Sequence, residues 1–484
     1  MQNIENSKNI LRILRNTFFL YSSFSVNQII IFFTTFYLAR IFSPLNYGKL
    51  SFSFTVANYF SLFNLAGFSI LGMRWIATAK DNQQIKFHIN QIVSIRTILS
   101  FLAFLTLCIF LPFIKKDEEL LSLIFLYGLV ILVSNLSLGW IFHGIQKMEF
   151  SEIPSIISSV IYINLIFLLV KSEHHLLRVP LIALWQYIFL FTITVFFMQR
   201  LLGKVYIDFN ISFLKENLNS ALTFSVFPIL VYLVNNIEKL LLGFMSNNLE
   251  VGYYFASYRI FYLLYSLVIP LYGAIFPALS RYYTYAPDSF KKLCYSAIDL
   301  MFILSIPIAI IFFLFATQII MFIYRYRYIS AVPILQILTL NLILIYINSF
   351  FSQALLATGK EDKVIFNLII QGISILISCI FFIPKMGTKG ASYSQIFGQL
   401  IAFFIYYREF NRILEVNLLR FMWRPFVASL AIIIPFKLLY LDRNLIISFL
   451  GAGSFYILVL TILGGLPWNE MRLIWNIIKS NQNK

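Results

Sequence analysis

The sequence predicts an all-α integral membrane protein of about 14 transmembrane helices, in two pseudo-symmetric six-helix lobes with a C-terminal pair. Three observations carry this expectation. Of the 484 residues, 60% are hydrophobic and only 12% charged, and mean hydropathy is +0.83, far from the composition of soluble domains. Apolar stretches follow one another from Phe18 to Leu466, each close to the roughly 20 residues that a helix needs to cross the hydrocarbon core. The turn that follows the first stretch also returns after the seventh.

The expected spans are 17–39, 50–73, 91–114, 120–142, 153–170, 177–199, 218–244, 252–279, 293–316, 332–357, 364–384, 390–407, 421–441 and 444–466. Lys8, Arg12 and Arg15 precede the first, whose apolar run is too long for a signal-peptide core, so it reads as an uncleaved helix. Roughly two-thirds of the Lys and Arg fall on one side when the loops alternate, which places both termini in the cytoplasm. The domain reading is a cytoplasmic segment 1–16, an N-lobe 17–200, an inter-lobe loop 201–217, a C-lobe 218–408, a last pair 409–466 and a cytoplasmic tail 467–484. Net charge is +17, but the basic residues are scattered through short loops without a stripe or an RNA-binding signature. Nucleic acid is therefore not an expected partner. Cys108, Cys294 and Cys379 all lie in or beside apolar stretches and read as packing residues.

The repeat is legible at two places. Phe42-Ser43-Pro44-Leu45-Asn46-Tyr47-Gly48 leads into span 2, and Met245-Ser246-Asn247-Asn248-Leu249-Glu250-Val251-Gly252 leads into span 8. The ends of spans 4 and 10 also agree, with Gly144 before Gln146-Lys147 and Gly359 before Lys360. An even number of spans separates the copies, so both lobes enter the membrane in the same sense, as in carriers with a central site.

Polar residues within spans are costly, and their positions nominate a site. Span 1 carries Ser23, Asn27 and Gln28, and span 2 carries Thr55, Asn58 and Ser61 at three-residue intervals. Each fits inter-helix hydrogen bonding; together they fit a hydrated cavity. Span 7 carries Asn235, Asn236, Glu238 and Lys239, and span 8 carries Arg259. A charge at mid-membrane costs about 2.5–3.5 kcal/mol and marks a partner or a cavity. Glu238 and Arg259 come to matching depth, as a structural ion pair or as a cationic site for an anionic ligand. Phe255, Arg259, Tyr262 and Ser266 share a helix face. Arg40 lies near the outer surface, with Arg96 near the inner one as a snorkelling anchor.

Enzymatic signals are missing. His88, His143, His174 and His175 lack a metal-ligand spacing, and there is no G-x-x-x-x-G-K-[ST] loop for ATP. Neither a catalytic residue, a metal nor a cofactor is expected. Transport would draw on H+, Na+ or the membrane potential.

These residues resemble the polysaccharide transporter branch of the multidrug/oligosaccharidyl-lipid/polysaccharide exporter superfamily, and within it the Wzx-type O-antigen flippases. The likeness rests on Ala39-Arg40 through Tyr47-Gly48, on Trp140 through Gly144 to Met148, and on Ile237-Glu238-Lys239 with Val251-Gly252-Tyr253-Tyr254 and Arg259. Pro228, Pro270 and Pro277 add to it. Glu238 stands where family members often have aspartate, and His143 where they often have glutamine.

The resemblance implies a transporter rather than an enzyme, in a bacterial inner membrane. It would move polyprenyl-diphosphate-linked oligosaccharide repeat units, such as those of lipopolysaccharide O-antigen, from the inner to the outer leaflet by alternating access of the lobes. Arg259 and Lys239 would neutralise the diphosphate. Asn235, Asn27, Asn58, Tyr262 and Arg40 would line the route, and the lipid bilayer would hold the tail. A polymerase and a chain-length regulator are the assembly partners it implies. Two rivals stand beside it. A cation-coupled drug or metabolite antiporter of the same fold predicts a buried acid in the first lobe, where span 1 has Asn27 instead. A membrane glycan polymerase predicts a long outer loop, and none is present.

Overall fold

The computed structural model describes residues 2–64, 66–204, 206, 208–433 and 445–465. Helices α1 (Gln2–Ile41) to α8 (Arg178–Leu202) build the first half. They comprise α2 (Pro44–Ser61), α3 (Gly67–Thr78), α4 (Asn82–Phe110), α5 (Glu118–Asn135), α6 (Gly139–Gly144) and α7 (Glu149–Leu169) between these two. The second half has α9 (Ile211–Met245), α10 (Asn248–Ser266), α11 (Ile269–Tyr285), α12 (Pro287–Leu314), α13 (Ala316–Tyr324), α14 (Val332–Ala357) and α15 (Glu361–Asn411). Two further helices follow, α16 (Leu419–Ala431) and α17 (Leu445–Ile462). No strand occurs among the described residues.

Among the described residues, ten helical segments, or eleven with the bent pair α2–α3, are long and apolar enough to cross a membrane. Fourteen is not reached by that measure, for two reasons. The 51-residue α15 counts once, although it folds back on itself. Gly387 has φ +54°, and Gly390 lies against the backbone of Phe382. Asn367 donates to Ala402 O (3.1 Å) on the returning limb. The expected spans 364–384 and 390–407 are the two limbs of this hairpin. The expected spans 421–441 and 444–466 run into undescribed residues, and the tail 467–484 lies wholly outside the described residues.

Several spans are broken helices. Span 2 becomes α2, a 3-10 turn Leu62–Asn64 and α3; span 4 becomes α5 and α6; span 8 becomes α10 and α11. Pro270, expected inside a span, instead opens α11, where its missing N–H costs nothing. Pro228 and Pro277 do lie inside helices.

The chain divides into two compact units, Met1–Asn236 and Ile237–Lys484. The division falls inside α9, not at the loop after α8. Hydrogen bonds to α4 explain why that loop stays with the first unit. Asn90 Oδ1 accepts from Tyr206 N (3.1 Å) and Ser94 Oγ from Asp208 N (2.8 Å), while Gln91 Nε2 donates to Asp208 Oδ2 (2.9 Å). The first part of α9 is held the same way, with Gly67 N–H donating to Ser225 Oγ at 2.8 Å. Gly67 faces Ala221 O so closely that a Cβ has no room.

Within each unit the same neighbours recur. In the first, α5 packs on α2, α4 and α8; in the second, α14 packs on α10, α12 and α15. The repeated turns have the same local chemistry. Ser43 caps α2 and Asn247 caps α10, each accepting the N–H three residues on (3.4 and 2.9 Å). The capped residue then reaches the turn between the unit's last two spans: Asn46 donates to Glu173 (3.1 Å), and the Glu250 carboxylate lies against Gly387. Spans 4 and 10 end in identical Schellman caps. Lys147 N bonds Phe142 O (2.9 Å) and Lys360 N bonds Leu355 O (3.0 Å). The equivalent left-handed residues are Gln146 (φ +58°) and Gly359 (φ +73°), so Gln146 rather than Gly144 is the counterpart of Gly359.

Candidate functional site

The buried charges gather in the second unit around the end of α9. Glu238 and Lys239 are 0% and 3% exposed. Lys239 Nζ lies 3.7 Å from Glu238 Oε1 and 3.6 Å from the centroid of the Tyr258 ring. Tyr254 donates its hydroxyl to Glu238 Oε1 (3.3 Å), and Gln395, on the returning limb of α15, also hydrogen-bonds this carboxylate. An ammonium held between a carboxylate and an aromatic face, away from water, gains about 2 kcal/mol from the ring alone. Its removal would strand the carboxylate, a change that costs about 3–5 kcal/mol for buried pairs.

Arg259 joins the group from α10, where its charge acts on Lys239. The structure therefore brings Lys239 to Glu238 and sets Arg259 beside Lys239. The group thus combines one carboxylate with two cationic side chains within a membrane span.

A tyrosine ladder runs from these charges down α10. Tyr254 and Tyr258 stack at 6.1 Å, and Tyr258 and Tyr262 at 6.3 Å. Tyr265 continues it to Ser349 of α14, at 3.5 Å between hydroxyls. The spacing i, i+4 puts these rings one above another on a helix. Sequence reasoning chose the neighbouring face through Phe255, Tyr262 and Ser266. It named Tyr254 only within the family motif and missed Tyr258, and their four-residue spacing was the available signal.

The other nominated residues have local roles. Asn235 turns back on α9, donating to Val231 O (2.7 Å), and Asn58 turns back on α2, donating to Phe54 O (2.9 Å). Asn27 joins α1 to α7, donating to Ser23 (3.3 Å) and Ser155 (3.1 Å). Arg40 lies over the Phe36 ring at 4.2 Å. Tyr47, Gly48 and Gly252 are buried at the two repeated turns. Trp140 and Gly144 pack α6 against α3, Trp140 on Gly72 and Gly144 on Ile76.

Within the first unit, Glu152 is an acid at a span end that the sequence reading did not consider. Glu152 begins α7 beside His143, with Oε1 and Nε2 3.0 Å apart, and accepts from Ser151 Oγ (3.1 Å). It falls one residue before the expected span 5, which is why it read as a loop residue. Arg96 is a correction of another kind. Instead of snorkelling, it reaches into the break between α5 and α6 and donates to Asn135 O (2.6 Å) and Ser137 O (2.9 Å). It thereby satisfies carbonyls that a broken helix leaves open.

The profile of the family described as "Polysaccharide biosynthesis protein" matches residues 13–283, more than half of the chain. The chain belongs to that family. Its relatives include two named "Putative O-antigen transporter". That of Shigella dysenteriae is 25% identical over 58% of the chain and 70% of the relative; that of Escherichia coli K12 is 25% identical over 56% and 66%. Among solved structures, the lipid II flippase MurJ in an inward closed conformation superposes with TM-score 0.75 at 15% identity, over 93% of this chain and 99% of MurJ. An inward-facing multidrug resistance MATE family transporter of the MOP superfamily gives TM-score 0.64 at 16% identity, over 80% and 94%. At these identities the structural likeness concerns the fold. The family, the named relatives and the shared fold are those of multi-pass membrane transporters and not of enzymes.

Proposed function

We propose that the protein moves polyprenyl-diphosphate-linked oligosaccharide repeat units from the inner to the outer leaflet of a bacterial cytoplasmic membrane, by alternating access of two lobes. The observation that carries this reading is the buried pair Glu238 and Lys239, with the half-buried Arg259, beside the Tyr254–Tyr265 ladder. A diphosphate is the part of such a substrate that most resists the hydrocarbon, and cationic side chains within the span offset that cost. Sugar hydroxyls cost several kcal/mol each to strip of water unless hydrogen-bonded, which tyrosine hydroxyls and amides provide. Asn27, Asn58, Asn235 and Arg40 are assigned to the route for the glycan, and Tyr262 to the sugars nearest the diphosphate.

The test is in cells lacking the protein, where lipid-linked repeat units are expected to accumulate on the cytoplasmic leaflet. Wild-type protein restores export, whereas Arg259→Ala at equal protein level does not. Full export by Arg259→Ala removes the arginine from the site, and an unchanged leaflet distribution on deletion removes the substrate assignment.

Cation-coupled antiport gains one observation, the Glu152–His143 pair in the first unit. If Glu152 carries the coupling cation, Glu152→Gln abolishes transport while the protein remains as stable as wild type.

A further inference from the structure

A cleft of about 610 Å³ opens in the second unit, where α12 begins and α15 ends. Tyr295, Tyr407, Asn411, Glu415, Arg420 and Phe421 line it. Its walls are fixed by hydrogen bonds to the connecting loop. Tyr295 donates to Glu415 O (3.2 Å), Tyr407 donates to Val416 O (2.8 Å), and Asn411 Oδ1 accepts from Val416 N (3.1 Å). The volume falls within the range of small-molecule sites, and the opening is held by the fold.

The chemistry at the mouth is cationic. Arg420 is exposed there, and Lys291 and Lys292 are exposed on the first turns of α12. Lys291 Nζ stands 5.8 Å from the Tyr295 ring. Glu415 is the acid of the lining, while Glu409 is already engaged by Arg412 at 2.7 Å.

Beside the cleft, α16 presents a strip of exposed apolar residues at helical spacing: Leu419 (72%), Trp423 (48%), Phe426 (47%) and Leu430 (41%). Residues 4, 7 and 11 positions apart on a helix lie on one face. Arg420 stands next in sequence to the first of them, so an anionic head bound in the cleft has an apolar track leading from it. Trp423 marks the headgroup level, where tryptophan concentrates in membrane proteins.

We propose that this cleft is a binding site for an anionic glycerophospholipid, with Arg420 and Lys291 as counter-charges for the headgroup phosphate and the Leu419–Leu430 strip seating the acyl chains. The track of apolar residues distinguishes a lipid from a soluble phosphate. Basic pockets at the ends of membrane helices hold such headgroups through the same pairing of charge and interface.

The experiment uses the full chain in nanodiscs of phosphatidylcholine doped with phosphatidylglycerol, with retained lipid read by native mass spectrometry after gentle delipidation. Wild-type protein is expected to retain phosphatidylglycerol in preference to phosphatidylcholine. The Arg420→Gln/Lys291→Gln protein should lose that preference by on the order of tenfold, and Arg420→Lys should keep most of it. Equal retention of the two lipids by wild type, or a preference untouched in the double variant, overturns the site. A thermal-stability measurement with inorganic phosphate and glycerol phosphate forms the other arm. Stabilisation by either to the extent given by phosphatidylglycerol overturns the lipid assignment in favour of a soluble anion.

Discussion

Lys239 shows how a single residue in this chain serves both fold and function. Its ammonium touches Glu238 and the Tyr258 ring in a place that water does not reach. Lys239→Met is therefore expected to destabilise the protein by about 3–5 kcal/mol, because it takes the ammonium away from a buried carboxylate. Pairing it with Glu238→Gln should recover most of that loss, since a neutral amide still accepts from Tyr254. Thermal unfolding of the four proteins in detergent checks this, and a double variant as unstable as Lys239→Met contradicts it. The residue scale is also where sequence reasoning reached least far. It saw that Glu238, Lys239 and Arg259 were expensive, since that follows from residue type and depth. It paired Glu238 with Arg259 by depth, and the structure adds Lys239, whose ammonium lies 3.7 Å from the carboxylate. Glu152 escaped because a one-residue shift of a span boundary decides whether an acid is counted as loop or membrane.

At the scale of elements, the turns carry strain that is open to test. Gln146 occupies the left-handed position of a Schellman cap (φ +58°), where the counterpart in the second unit is Gly359. A side chain there costs about 1 kcal/mol relative to glycine. Gln146→Gly should thus stabilise the protein by about 0.5–1 kcal/mol. Asn16 is no obstacle, since it donates to the backbone oxygen of Gln146 (3.0 Å), not to its side chain. A fall in unfolding temperature would contradict this. The hairpin of α15 makes a sharper prediction. With Cys108, Cys294 and Cys379 replaced by alanine, Ile375→Cys and Gly398→Cys should crosslink under mild oxidation, because Gly398 faces the Ile375 side chain. A straight helix would hold these positions more than 30 Å apart, at about 1.5 Å per residue, and would give no crosslink. The sequence placed this turn at 385–389 from the break in apolar residues, but Gly387 as its pivot depends on a backbone angle.

For the whole molecule, the parallel repeat is the claim with most consequence. Matching caps, matching neighbours and matching turn contacts recur in both units. In a parallel repeat, single cysteines at Lys147 and Lys360 must react with a membrane-impermeant thiol reagent from the same face. Cysteines at Lys115 and Asn248 must react from the opposite one. Labelling of Lys147→Cys and Lys360→Cys from opposite faces would make the repeat inverted and overturn the topology. The same experiment fixes which face of the membrane holds the cleft beside α16.

What the sequence determined by itself is the class of the protein: a ladder of membrane helices. Composition and periodicity suffice for that, since the bilayer allows a long apolar chain very few forms. Where the chain bends and what its buried charges touch were decided only in the tertiary structure. The breaks at α2–α3, α5–α6 and α10–α11 become stable because neighbouring groups, such as Arg96 at Asn135 and Ser137, satisfy the backbone that each break exposes. Such partners lie far away in the sequence, and residue type alone does not name them.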